Sequence, residues 1–181
     1  MTPRDPAREK TLTGMIGVLA RRDPERIALR DGGEAISYAN LWRRSPALAG
    51  AIRARGVRPG ETVALALPRS AGLVIACLAV MRASGVVLAL DLSHPAARNR
   101  RFLDAARVRW TLIDGSSSPE GGALTTPIDL AEAGPWNEED AGESRGEDPA
   151  FLVFTSGSSG EPKGVVPVTR RWRKERDPRR R

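Results

Sequence analysis

The segment Thr155 to Gly164, TSGSSGEPKG, groups residues whose types and spacing could do chemistry together. Thr155, Ser156, Ser158 and Ser159 supply hydroxyl donors. Gly157 and Gly160 let consecutive backbone N–H groups converge on one anion, and Lys163 adds a compact positive charge. The chemistry implied is phosphate binding. The segment is not a Walker A loop, which needs Gly and Lys adjacent, because Pro162 precedes Lys163 and Gly164 follows it. The bland alternative is a flexible Gly/Ser linker, as the SSSPEGG stretch from Ser116 reads. The apolar run FLVF in front of the segment and the Pro-Lys-Gly behind it favour the phosphate loop.

The elements that must position this loop form an alternating pattern. Residues 12 to 22 read as a short helix and 25 to 30 as a strand, with Asp31-Gly32-Gly33 as a turn. From Tyr38 an amphipathic helix runs to a stop at Gly56, and Ser45-Pro46 either kinks or restarts it. ETVALAL from Glu61 is a buried strand. The helix that follows is capped by Ser70, apolar nearly all round, and ended by Gly85. VVLAL from Val86 is a second strand, Pro95 opens a helix through Arg107, and Trp110 to Ile113 is a third strand. Residues 114 to 149 read as a long surface loop holding one short strand near Pro127 to Leu130, and Phe151 to Phe154 is a fourth strand running into the loop. The fold class is α/β: a partial doubly wound parallel sheet with flanking helices. In such sheets ligands collect at the carboxyl ends of the strands.

Composition narrows the function classes. There are 29 Lys plus Arg against 22 Asp plus Glu, a net charge of +7. Eight bases and two acids fall in the last fifteen residues, leaving 21 bases and 20 acids over residues 1 to 166. A body so balanced is not built as a nucleic-acid-binding surface. The longest apolar stretch, Ala71 to Met81, is well short of the roughly 20 residues a membrane helix needs, and no secretory signal is apparent in MTPRDPAREK, so a soluble, cytoplasmic protein is expected. Cys77, the single cysteine, lies inside that stretch and reads as a buried structural thiol. His94, the single histidine, reads as a packing or surface residue, since no partner nucleophile or metal cluster accompanies it.

FLVFTSGSSGEPKGVV resembles the phosphate-loop signature, commonly YTSGSTGxPKGV, of the adenylate-forming (AMP-binding) enzymes. That family includes nonribosomal peptide synthetase adenylation domains and acyl-CoA synthetases. MRASGVVLALDLSHPAARNRRFLDAARVRWTLID is similar to the stretch that in adenylation domains reads close to LKAGAAYVPLDPxYPxxR, so the style is nearer to the amino-acid-activating branch. Ser159 replaces a commoner Thr, Ala89 and Leu92 stand where Pro is frequent, and His94 stands where an aromatic residue is usual. The resemblance covers about residues 10 to 168, which it identifies as the N-terminal part of an adenylation domain.

The resemblance implies a ligase that joins a carboxylic or amino acid to ATP, forming an acyl-adenylate and pyrophosphate, before a thiol accepts the acyl group. Thr155, Ser156, Gly157, Ser158, Ser159, Gly160 and Lys163 would surround the β- and γ-phosphates, with Mg²⁺ beside them and no catalytic residue assigned. The implied partners are ATP, the acid substrate and a carrier protein or a complementing chain. Members of the family run for several hundred residues, so this chain alone is expected to be inactive. Residues 169 to 181 are expected to form a basic, disordered tail with three readings: the product of a frameshift or premature end in GC-rich DNA, a nucleic-acid-binding arm, or the end of one half of a split enzyme. An acyl-CoA synthetase fragment and a non-enzymatic nucleic-acid-binding protein are the alternative functions.

Overall fold

A computed structural model describes residues 11–115, 125–132, 148–156 and 162–165. Thr11 starts the first helix, α1 (Leu12–Arg22), by accepting the Gly14 N–H on its hydroxyl at 2.9 Å. An antiparallel pair follows, β1 (Ile27–Asp31) and β2 (Glu34–Ser37), turning through Gly32 and Gly33 at positive φ. The sequence reading missed β2, because four residues between a turn and a helix cap offer only Ala35 and Ile36 as apolar signal. Ser37 caps the 17-residue helix α2 (Tyr38–Ala54).

Pro46 neither breaks nor restarts α2. A proline has no N–H to give the carbonyl four residues back, here that of Trp42, and the loss ordinarily costs about 3 kcal/mol. Two other donors serve that carbonyl: Ser45 Oγ at 3.2 Å and an Arg82 guanidinium nitrogen at 3.3 Å. The same nitrogen donates to Ser45 Oγ at 2.9 Å, and the guanidinium carbon lies 3.7 Å from the Trp42 ring centroid. Arg82 is only 2 % exposed. A charged side chain from α3 (Ala71–Arg82) thus stands in for the missing helix hydrogen bond.

The central sheet is parallel, in the order β4–β3–β5–β6, with β3 (Thr62–Leu65), β4 (Val86–Ala89), β5 (Trp110–Ile113) and β6 (Thr126–Asp129). Leu65, Leu112 and Ile128 stand in register and pack, with Val63, Val87 and Trp110, under α2 and α3. Ala64 and Leu88 face the other way, toward α4 (Ala96–Ala105) and its Leu103. Helices on both faces of a parallel sheet make it doubly wound, as the alternating pattern predicts. Asp31 ties the β1–β2 pair to this body by accepting the Ala71 N–H at the start of α3 at 2.7 Å.

Three helices end the same way. After α2, Gly56 (φ 90) is left-handed, while the corresponding residues after α3 and α4 are Ser84 (φ 58) and Arg107 (φ 49). In each case the next N–H returns to a carbonyl five residues back: Val57 to Ile52, Gly85 to Val80 and Val108 to Leu103. The expectation that Gly85 itself terminates α3 is therefore off by one residue, and α4 stops at Ala105, not Arg107. Gly85 is required for closeness instead, since a Cβ there would lie 3.0 Å from Val80 Cγ1 and 3.4 Å from the Glu61 carbonyl oxygen.

No helix among the described residues is long and apolar enough to cross a membrane.

Candidate functional site

The segment expected to be a fourth strand divides its role. Val87 N–H donates to Ala150 O at 2.9 Å and Leu152 N–H to Val87 O at 2.8 Å, which lays Ala150 to Leu152 parallel along the outer edge of β4. From Val153 the chain leaves the sheet and forms β7 (Val153–Ser156), which pairs antiparallel with β8 (Pro162–Val165). Phe151 packs into the core under α2 and α3, whereas Phe154 packs with the α4 side. The Phe154 ring stacks on Phe102 of α4, with centroids 4.8 Å apart and planes 11° from parallel. Because the strand runs parallel to β4, the hairpin emerges at the carboxyl ends of the sheet strands. It does so beside β4, not at the β3–β5 crevice where the strand order reverses.

Thr155 and Ser156 close β7, and Lys163 in β8 stands directly opposite Thr155, with Pro162 opposite Ser156. Facing residues in an antiparallel pair have Cα atoms about 4.5–5.5 Å apart. The register thus brings the lysine position back to the residue that opens the hydroxyl-rich run. Gly157, Ser158, Ser159 and Gly160 lie outside the described residues, as does the tail from residue 169.

At the same sheet edge, Asp91 follows β4. Its Oδ1 accepts both the Ser93 hydroxyl, at 2.6 Å, and the Ser93 N–H, at 2.9 Å, and Arg69 beyond β3 approaches Oδ2 to 3.9 Å. The Ser93 hydroxyl and N–H hold the Asp91 carboxyl below the usual range, with His94 and Arg69 adding to the effect. The Asn99 amide donates to Asp91 O at 2.9 Å and the His94 N–H to the same carbonyl at 3.1 Å, fixing the turn into α4. His94 Nδ1 and Asn99 Oδ1 are buried and have no hydrogen-bond partner among the described residues. Cys77 packs against the main core, and burial pushes its thiol up to about 11, which suits a structural thiol. Among the described residues no three of His, Cys, Asp and Glu converge as metal ligands. The Phe102–Phe154 stack escaped the sequence reading. The two rings are 52 positions apart in sequence, and they meet only in the folded chain.

The profile of the family described as AMP-binding enzyme matches residues 18–172. Over 151 residues, 81 % of this chain, the sequence is 39 % identical to the AMB antimetabolite synthetase AmbB of Pseudomonas aeruginosa. The o-succinylbenzoate CoA synthetase MenE of Bacillus subtilis, solved with the acyl-adenylate intermediate OSB-AMP, superposes with a TM-score of 0.75 at 25 % identity, covering 87 % of this chain and 42 % of that one. NpsA-ThdA of Klebsiella oxytoca, an artificially fused adenylation–PCP di-domain of a nonribosomal peptide synthetase, gives 0.77 at 26 % identity, covering 88 % of this chain and 32 % of its own. The chain spans 12 % of AmbB, and from 2 % to 13 % of the length of the other curated relatives it matches. With a family profile over most of its length and the parallel sheet of adenylate-forming enzymes beneath the glycine-rich hairpin, the chain belongs to the AMP-binding enzyme family.

Proposed function

We propose that the β7–β8 hairpin carries the phosphate-binding loop of an enzyme that activates a carboxylic acid, most simply an amino acid, as its adenylate. The observation that carries this reading is the register: Lys163 opposite Thr155 at the carboxyl end of a parallel sheet, closing a run of hydroxyls and glycines. Thr155, Ser156, Gly157, Ser158, Ser159 and Gly160 would donate to the β- and γ-phosphates of ATP, and Lys163 would offset the charge of the departing pyrophosphate. The donor set fits a polyphosphate, being rich in N–H, O–H and ammonium groups and holding no carboxylate apart from Glu161. Mg²⁺ is expected with the nucleotide, held chiefly by phosphate oxygens. The adenylation–PCP fusion of NpsA-ThdA supports a carrier-protein thiol as acceptor. The CoA synthetase MenE supports CoA as the second reading.

Residues 10–168 are read as part of the adenylating domain and 169–181 as a basic tail outside its design. Relatives much longer than this chain support the further reading that residues 1–181 alone do not complete the reaction. Calorimetric titration of the 181-residue chain with MgATP tests the loop: saturable binding is expected, weakened about tenfold or more by Lys163→Ala, as loss of a charge-assisted hydrogen bond implies. Binding indifferent to that substitution refutes the assignment. Amino-acid-dependent ATP–pyrophosphate exchange by this chain alone would refute the claim that it is inactive by itself.

A further inference from the structure

We propose that Phe102 is the positioning residue of the phosphate-loop hairpin, holding it through the stack with Phe154; the inference rests on the reading of β7–β8 as that loop. The last hydrogen bond that places this segment on the sheet is Leu152 N–H to Val87 O. Beyond it, among the described residues, β7 pairs only with β8, so no strand of the central sheet that is described fixes the direction in which the hairpin projects. Phe154 lies two residues past that bond and one residue before Thr155. Its cross-strand neighbour in register is Gly164, which has no side chain to pack on the ring. The ring is held from outside the hairpin, by Phe102 at 4.8 Å and 11°. Phe102 is itself secured by Leu103, the next residue, buried in the α4-side core, and by Arg98, whose guanidinium lies 5.8 Å from its ring centroid. Rotation or withdrawal of this ring would therefore alter the hairpin's aim while leaving β3, β4 and β5 in place.

The test compares Phe102→Ala and Phe102→Tyr with the wild-type chain by amide hydrogen exchange and by MgATP titration. Phe102→Ala is expected to raise exchange in the peptide covering residues 150–165 by about five- to tenfold, the size an aromatic pair supports, with β3 and β5 protection unchanged. It should weaken MgATP binding by a similar factor, and Phe102→Tyr, which retains the ring, should restore both. Unchanged exchange over 150–165 in Phe102→Ala overturns the positioning role, as does loss of protection spread equally over β3 and β5. A wild-type chain that binds no MgATP refutes the phosphate-loop reading instead, and the exchange comparison then still decides whether Phe102 holds the hairpin.

Discussion

Replacing Arg82 by Met removes the guanidinium donors at the Pro46 gap, leaving Ser45 Oγ on the Trp42 carbonyl, while keeping most of the side chain's length. The Arg82 guanidinium donates to Trp42 O and Ser45 Oγ and covers the Trp42 ring at 3.7 Å, all at 2 % exposure. Charge-assisted hydrogen bonds are worth about 1.5–3 kcal/mol, and a desolvated cation–π contact about 2 kcal/mol. Taking a guanidinium out of water offsets part of this, because the Met side chain is buried without that penalty. The net loss expected is about 2–3 kcal/mol, or roughly 5–10 °C in Tm for a chain of this size. Stability alone does not identify the cause, so the assay is a double-mutant cycle with Pro46→Ala, read by urea denaturation. The alanine returns an N–H to the Trp42 carbonyl, and Pro46→Ala should therefore stabilise the Arg82→Met chain more than the wild type, by about 1 kcal/mol of coupling. Additive effects within about 0.3 kcal/mol would refute the idea that Arg82 compensates for the proline.

Three other consequences can be measured on the same protein. The backbone N–H of Arg58 holds Glu61 below its ordinary value of 4.5, helped by the Trp110 indole and by Arg109. A depressed folded value gives stability that is present above 4.5 and lost as pH falls through the folded pKa, so Glu61→Gln should flatten that part of the acid limb of stability against pH; an unchanged limb contradicts it. Cys77, with its thiol raised to about 11, should react with iodoacetamide at pH 8 about tenfold more slowly than an unhindered cysteine peptide, and reaction at the peptide's rate would contradict its burial. Ser84→Gly should stabilise the chain by about 0.5 kcal/mol, because relief at φ 58 outweighs the added freedom of the unfolded chain; destabilisation in urea would contradict this.

Strand and helix identities were legible because their signals are local. ETVALAL, VVLAL and WTLI are short apolar runs between turns, and all three fall in the parallel sheet. Ser70 caps α3 and Gly56 closes α2, as their residue types predict. What escaped depends on partners distant in sequence. Ser45-Pro46 reads as a kink or a restart until Arg82, 36 positions beyond the proline, supplies a donor the helix lacks. Ser84 and Arg107 hold left-handed positions that propensity gives to glycine, because returning hydrogen bonds and buried neighbours outweigh the local strain. At the candidate site the residue types were plain in TSGSSGEPKG, whereas the register of Lys163 against Thr155 and the anchoring of Phe154 by Phe102 emerge only from the fold.

The most direct test of the phosphate-loop claim is an amide chemical-shift titration of the ¹⁵N-labelled chain with magnesium pyrophosphate. The expected result is saturable shifts concentrated on residues 155–160 and Lys163, with the Arg-rich run from 169 to 181 unmoved at physiological salt. Shifts confined to that run, or none at all in the hairpin, would contradict the account.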